Sequence, residues 1–419
     1  MQRSLLVFIA LVMSIFTYAQ DEKPFEISLH GFIAVDAAYN TRASVQARNH
    51  HIYLYPLPER LDATTGKDLN DRGRYDMDAA HSRFGLHIKG PTINGISVFG
   101  LLEADFLGDD RVTDSDFRLR HAYIRLGFKD FSFVAGQTWH PFFIPENFPQ
   151  MVNTGVGVPM HPLSRNPQFR FNWHLQDNVE LSATFLEQNN FRNAGFPSGS
   201  EDAGVPEVVL QAKVGGTGPA WASLSAGYKR LAIPEALDPQ KVRPEVGSFH
   251  YQATLRYRLP MLTYRMGALY GQNSSDLVIP GGVGRVVNTP DSDPEFKPLA
   301  SATLWIDINS TYKTWDPGFF AGYLKAMGAT EEVTVIPTLS MHPDVTEVVA
   351  IAPRLKYHIG THTWIGAEYM WTQAAWAKKT VTTTETETIT ITSYDSYGAP
   401  ADVKNYTNHR LLLSLRYHF

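Results

Sequence analysis

The chain has 419 residues, 43% hydrophobic and 12% aromatic, with 37 Lys and Arg against 42 Asp and Glu, a formal charge of -5 and no Cys. That mild acidity argues against nucleic acid as a partner, and the lack of Cys leaves no disulfide framework. Beyond the N-terminal segment no apolar run is long enough to cross a bilayer as a helix, which excludes a helical membrane protein.

At the start, Arg3 opens a charged region, Leu5 to Phe16 is apolar, and Thr17-Tyr18-Ala19 precedes Gln20 as a small-residue cleavage site. Residues 1-19 therefore read as a secretory signal peptide, and Asp21-Glu22-Lys23-Pro24 stops any helix there. From 20 to 419 there is no linker, charge block or low-complexity tract to mark a boundary, so one domain is expected.

What recurs along that domain is a segment of about ten alternating residues followed by a turn, the spacing of tilted strands crossing a hydrocarbon layer. Strands are predicted near 26-39, 78-89, 95-107, 116-128, 130-140, 167-176, 178-189, 206-215, 220-231, 247-259, 261-272, 299-312, 317-328, 345-359, 361-377 and 403-419. In the clearest, Phe249, Tyr251, Ala253, Leu255, Tyr257 and Leu259 share one face while His250, Gln252, Thr254, Arg256 and Arg258 share the other. A soluble two-layer sheet alternates in the same way. The connections separate the readings: long ones (40-77, 108-115, 141-166, 190-205, 232-246, 273-298, 329-344, 378-402) alternate with tight turns. This predicts an all-β fold, a sixteen-stranded antiparallel transmembrane barrel with short periplasmic turns and long extracellular loops. A barrel of that size encloses an aqueous channel.

Strand faces assign the lumen, because charge facing lipid is costly near the bilayer midplane. Opposite Phe84, Leu86 and Ile88 stand Arg83, His87 and Lys89; opposite Phe117, Leu119 and Tyr123 stand Arg118 and Arg120; opposite Phe169, Phe171 and Trp173 stand Arg170, Asn172 and His174. Lys213, Arg265, Arg354, Lys356 and Arg416 follow the same rule. Inward acids are fewer, namely Glu103, Asp105, Glu180, Asp307 and Glu368, and most others, such as Asp109, Asp110, Asp114, Asp291, Asp293, Glu385 and Glu387, sit in the long connections. Rings of Arg and Lys in a pore favour anions. The alternative is a wall in which Glu103 or Asp105 pairs with Arg83, Arg118 or Arg120 and leaves no net field.

The connection 141-166 differs from the others in being apolar and Pro-rich, so Phe142, Phe143 and Phe148 seek burial. Folding into the pore would bury them and would bring Glu146, Asn147 and Arg165 to the basic wall; covering the rim or a neighbouring subunit would bury them too. The 15 His, including His50-His51, show no ligand spacing shared with carboxylates, so no metal and no cofactor is expected. Gly281-Gly282-Val283-Gly284 has no helix behind it to bind phosphate, and Val381 to Tyr394 reads as an extended hairpin.

Together Ser82-Arg83-Phe84-Gly85-Leu86, Glu103-Ala104-Asp105-Phe106, Phe117-Arg118-Leu119-Arg120-His121-Ala122-Tyr123 and Val134-Ala135-Gly136-Gln137 resemble the N-terminal third of sixteen-stranded general porins, particularly the dicarboxylate branch. The closing strand, with Tyr417 and Phe419, is similar to the signal read by the barrel-assembly machinery. The resemblance implies a homotrimer whose pores are constricted by the loop after strand five, with Arg83, Arg118 and Arg120 lining the constriction. The long first connection departs from the pattern. The expected function is passive diffusion of small hydrophilic solutes, biased to anions such as carboxylates, across the outer membrane of a Gram-negative bacterium, among lipid and lipopolysaccharide. Alternatives are an outer-membrane enzyme of lipase or protease type, with His140 and His161 near Ser164 as its only rim cluster, and a structural or adhesive barrel.

Overall fold

A computed structural model describes residues 25-48, 51-108, 116-238, 242-287, 294-310, 312, 314-383 and 388-419, with the side chains of 381-391 left aside. The segment read as a signal peptide and the acids Asp109, Asp110, Asp114, Asp291, Asp293, Glu385 and Glu387 lie outside the described residues.

Sixteen antiparallel strands form a closed barrel. They are β1 (Glu26–Asn40), β2 (Arg83–Ile93), β3 (Ile96–Asp105), β4 (Arg118–Gly127), β5 (Phe131–Trp139), β6 (Arg165–Gln176), β7 (Val179–Leu186), β8 (Glu207–Val214), β9 (Ala220–Ala232), β10 (Glu245–Arg258), β11 (Leu262–Gln272), β12 (Phe296–Ser310), β13 (Trp315–Gly328), β14 (Val345–Ile359), β15 (Thr363–Ala377) and β16 (Val403–His418). Each pairs with the next, and β16 closes on β1 with Phe32 opposite His418 and Asn40 opposite Arg410. The terminal residue seals the seam, since Gly31 and Phe419 exchange backbone N–H to carbonyl bonds at 3.1 Å each. Closure satisfies every strand's edge, the condition for a sheet to stand in hydrocarbon.

The polarity is inverted relative to a soluble protein. Along β10, Phe249, Tyr251, Leu255 and Tyr257 are exposed while His250, Gln252, Thr254 and Arg256 are buried. Along β16, Leu411, Leu413, Leu415, Tyr417 and Phe419 face out and Arg410, Ser414 and Arg416 face in. The outward set is the apolar band that lipid covers.

One wall strand is broken. Arg74–Asp78 pairs with the far half of β1 and β2 with its near half, leaving 79-82 between them. There the Ser82 hydroxyl accepts from Ala34 N at 3.0 Å, standing in for the missing ladder bond. In the long connections Gly281–Val286 and Val333–Met341 pair with each other above β12, and Lys379–Thr383 with Thr388–Thr392 form the expected hairpin.

Two connections turn inward. In the first, Ser44–Ala47 and Ile52–Pro56 form a hairpin whose Ile52, Tyr53, Leu54 and Tyr55 are buried with Phe142, Phe143, Met151 and Met160 of the third in one apolar cluster. Tyr55 meets Trp376 of β15 edge-on at 5.8 Å, and Trp376 Nε1 donates to Pro56 O at 3.0 Å. Burying such side chains contributes about 1.5–3 kcal/mol each, enough to hold both segments off water.

Removing Phe419 takes away both bonds to Gly31 and the last outward ring, a loss of about 2 kcal/mol from the hydrogen bonds alone. Heat-modifiable gel migration should show a smaller folded fraction in outer membranes, while the channels that do fold conduct normally.

Candidate pore and constriction

The inner wall carries its charge in tightly closed clusters. On β3 and β4, Asp105 accepts from Arg118 Nε at 2.9 Å and Nη2 at 2.6 Å, and from Arg120 Nη1 at 2.7 Å. Glu103 Oε1 accepts from Arg120 Nε at 2.6 Å and lies 3.6 Å from Arg83 Nε. Arg118 and Arg120 do face inward, but at 9% and 3% exposure they are enclosed by these partners. The geometry depends on a bulge: Asp105 pairs Arg118, Ala104 pairs Leu119 and Glu103 pairs His121, so Arg120 is the extra residue. The bulge puts Arg118, Arg120 and His121 all inside.

Beyond it the face of β4 is reversed from the strict alternation. Ile124 is outside, whereas Tyr123 and Arg125 line the lumen with His121. Tyr123 was expected on the apolar outer face with Phe117 and Leu119, and the bulge is why it is not.

A second cluster spans three strands. Arg354 of β14 reaches across β13 to Asp307 of β12, with Nη1 at 2.8 Å from Oδ1 and Nη2 at 3.0 Å from Oδ2. Gly318 makes the crossing possible, because a Cβ there would stand 2.5 Å from Arg354 Cζ. Arg265 lies 3.9 Å from Asp307 and bonds Asn309.

Three further bases serve the third connection, 140-164, which runs irregularly across the interior. Its backbone has no ladder, and buried carbonyls without donors are costly. Arg256 Nη1 donates to Glu146 O at 2.8 Å, Lys356 Nζ to Gln150 O at 2.9 Å and Arg416 Nη2 to Val152 O at 2.8 Å. In return Asp307 Oδ2 accepts Gln150 N at 3.2 Å and Glu368 Oε2 accepts Val152 N at 2.7 Å. Asn147 Nδ2 donates to Leu255 O and Met266 O, Gln211 Nε2 to Pro141 O and Gln252 Nε2 to Phe142 O. Phe143 stacks on Trp139 at 3.7 Å between centroids, Phe142 is fully buried and Phe148 half-buried. Arg165 is buried with its guanidinium 4.5 Å from the Trp139 ring centre.

Beside this segment remains a lumen cavity of about 530 Å³. Its cations are Arg83, Arg125, Arg170 and Lys213 and its acids Glu103, Glu146 and Glu180. Lys213 binds Glu146 at 3.0 Å and Glu180 at 3.4 Å. Arg170 instead donates to Gln168 Oε1 and to Trp139 O at 2.7 Å, and Arg125 is exposed. Neither has a carboxylate within ion-pair distance among the described residues. Lys89 and Arg258 are exposed near the strand ends and lie outside this cavity.

At the rim, Ser164 Oγ donates to Asn166 Oδ1 at 3.1 Å, while His140 Nε2 pairs with Glu207 at 3.0 Å. The hydroxyl is therefore turned to an amide, His140 is engaged by a carboxylate, and His161 is buried edge-on to Phe143 and Trp305.

A closed sixteen-stranded barrel with an apolar outer band, a charged lumen and an inserted segment is the architecture of the outer-membrane porins. Residues 17–205 match the model of the DcaP outer membrane protein family. The fold is similar to the outer membrane channel DcaP of Acinetobacter baumannii, with TM-score 0.66 and 16% identity over 94% of this chain and 98% of that one. It is similar also to a loop L8 deletion mutant of OmpT from Vibrio cholerae (0.54, 11%, 95% and 100%) and to an anion-selective porin from Comamonas acidovorans (0.54, 11%, 94% and 100%). No curated protein matches the sequence.

Replacing Asp105 with Asn leaves Arg118 and Arg120 as buried charges without their shared anion, a loss of about 3–5 kcal/mol. Urea unfolding should show that drop, and an Arg125→Ser control should leave the midpoint unchanged.

Proposed function

We propose that the channel passes small hydrophilic solutes by passive diffusion with a preference for anions such as small carboxylates, and that the third connection sets the constriction. What carries the reading is the lumen cavity, where Arg125 and Arg170 stand without carboxylate partners beside the inserted segment. A guanidinium so placed offers fixed donors to a carboxylate. Arg118, Arg120 and Arg354 act in this reading as wall braces, and Arg256, Lys356 and Arg416 as clamps on the constriction. The similar Comamonas acidovorans protein is described as anion-selective, in keeping with that preference.

The assembly is proposed to be a homotrimer, as the Vibrio cholerae OmpT trimer form is described for its own chain. In this reading Tyr417 and Phe419, exposed on the outer face at the seam, are read by the barrel-assembly machinery and meet lipid. Lipopolysaccharide would meet the long connections.

Reversal potentials in a salt gradient across planar bilayers test the preference. The wild type should favour chloride over potassium, and Arg125→Ser and Arg170→Ser should each lower the ratio by about twofold. A cation-selective wild type, or a ratio unmoved by both changes, would overturn the assignment.

A further inference from the structure

The break in the second wall strand gathers side chains that conduction does not use. Asp36 of β1, His51 of the first connection and His81 of the break are buried, and one ligand atom of each lies within 4.8 Å of the other two. Asp36 Oδ2 is 3.2 Å from His81 Nδ1 and 3.8 Å from His51 Nδ1. Ligand atoms around a tetrahedral ion bound at about 2.0–2.2 Å lie about 3.3–3.6 Å apart, so only a small movement of His51 completes a three-ligand set.

Two further observations point to a cation. His51 Nε2 sits 2.7 and 2.9 Å from the two oxygens of Asp78. A carboxylate on the far nitrogen of an imidazole is how metal-ligating histidines are oriented, and here it turns the Nδ1 lone pair toward Asp36. Asp36 Oδ1, also buried, has no hydrogen-bond partner, a desolvated lone pair that is costly unless a ligand takes it.

Two groups compete for the same corner. Arg416 Nη2 donates to His81 Nδ1 at 3.1 Å, and an ion there displaces that bond while Arg416 keeps Val152 O at 2.8 Å. The Thr154 hydroxyl lies against His81 and is placed to hold a metal-bound water.

We propose that Asp36, His51 and His81 bind one divalent transition-metal ion of the zinc type, oriented by Asp78, and that the ion ties the first connection to the barrel wall. Two imidazoles and one carboxylate suit zinc, nickel or copper, whereas magnesium and calcium require oxygen ligands throughout.

The test uses the tag-free full-length channel, stripped with chelator, in detergent, with folding of every variant checked by heat-modifiable migration and conductance. Equilibrium dialysis should give one zinc per chain, undisturbed by about a hundredfold excess of magnesium. His51→Gln and His81→Gln should each weaken zinc at least tenfold, and Asp78→Asn by about 10- to 100-fold. His362→Gln, at an exposed turn, should change nothing. Should the histidine variants misfold, cobalt added to the wild type decides: intense visible bands of a tetrahedral site support the assignment, and the weak spectrum of aqueous cobalt overturns it. Zinc binding unchanged in both folded histidine variants, or magnesium bound as tightly as zinc, would equally overturn it.

Discussion

Irregular backbone inside a barrel must find hydrogen-bond partners, because neither a ladder nor bulk water supplies them. The structure depends on this constraint more than on any other. The segment 140-164 crosses the interior without strand structure, and the wall answers it with long basic side chains whose donors reach its carbonyls from opposite sides, Arg256 from β10, Lys356 from β14 and Arg416 from β16. Acids reciprocate by accepting its N–H groups, as Asp307 and Glu368 do. A basic lumen wall is thus partly an architectural requirement, and its charge is not all available to a solute.

The same economy explains the clusters at the wall itself. Asp105 holds two arginines from the neighbouring strand, and Asp307 holds one from two strands away over a glycine. Charges satisfied in this way are paired within the wall, and the proposed anion preference falls to groups held by neutral partners. Arg170, fixed by Gln168 and the Trp139 carbonyl, is such a group.

Most of the fold was legible because alternation with period two and the alternation of long and short connections are properties of consecutive residues. The closing strand could be placed from Leu411 to Phe419 by pattern alone. Three features escaped for identifiable reasons. The bulge at Arg120 arises from pairing with β3, and a single inserted residue reverses everything after it, so Tyr123 was assigned to the wrong side. The inward hairpin of the first connection did leave a signal, the unbroken apolar run Ile52-Tyr53-Leu54-Tyr55, in a connection whose other residues are largely polar. The grouping of His51, His81 and Asp36 joins residues 15 to 45 positions apart in the chain, and no local spacing announces it.

In the proposed function the third connection occupies the lumen and borders the conducting passage. The chain has no Cys, so a single thiol introduced by Glu146→Cys, in the wall of the lumen cavity, can be modified selectively. Single-channel current followed during addition of a bulky anionic thiol reagent should fall in steps, one for each modified chain. Complete modification, verified by mass, with current unchanged would contradict the account.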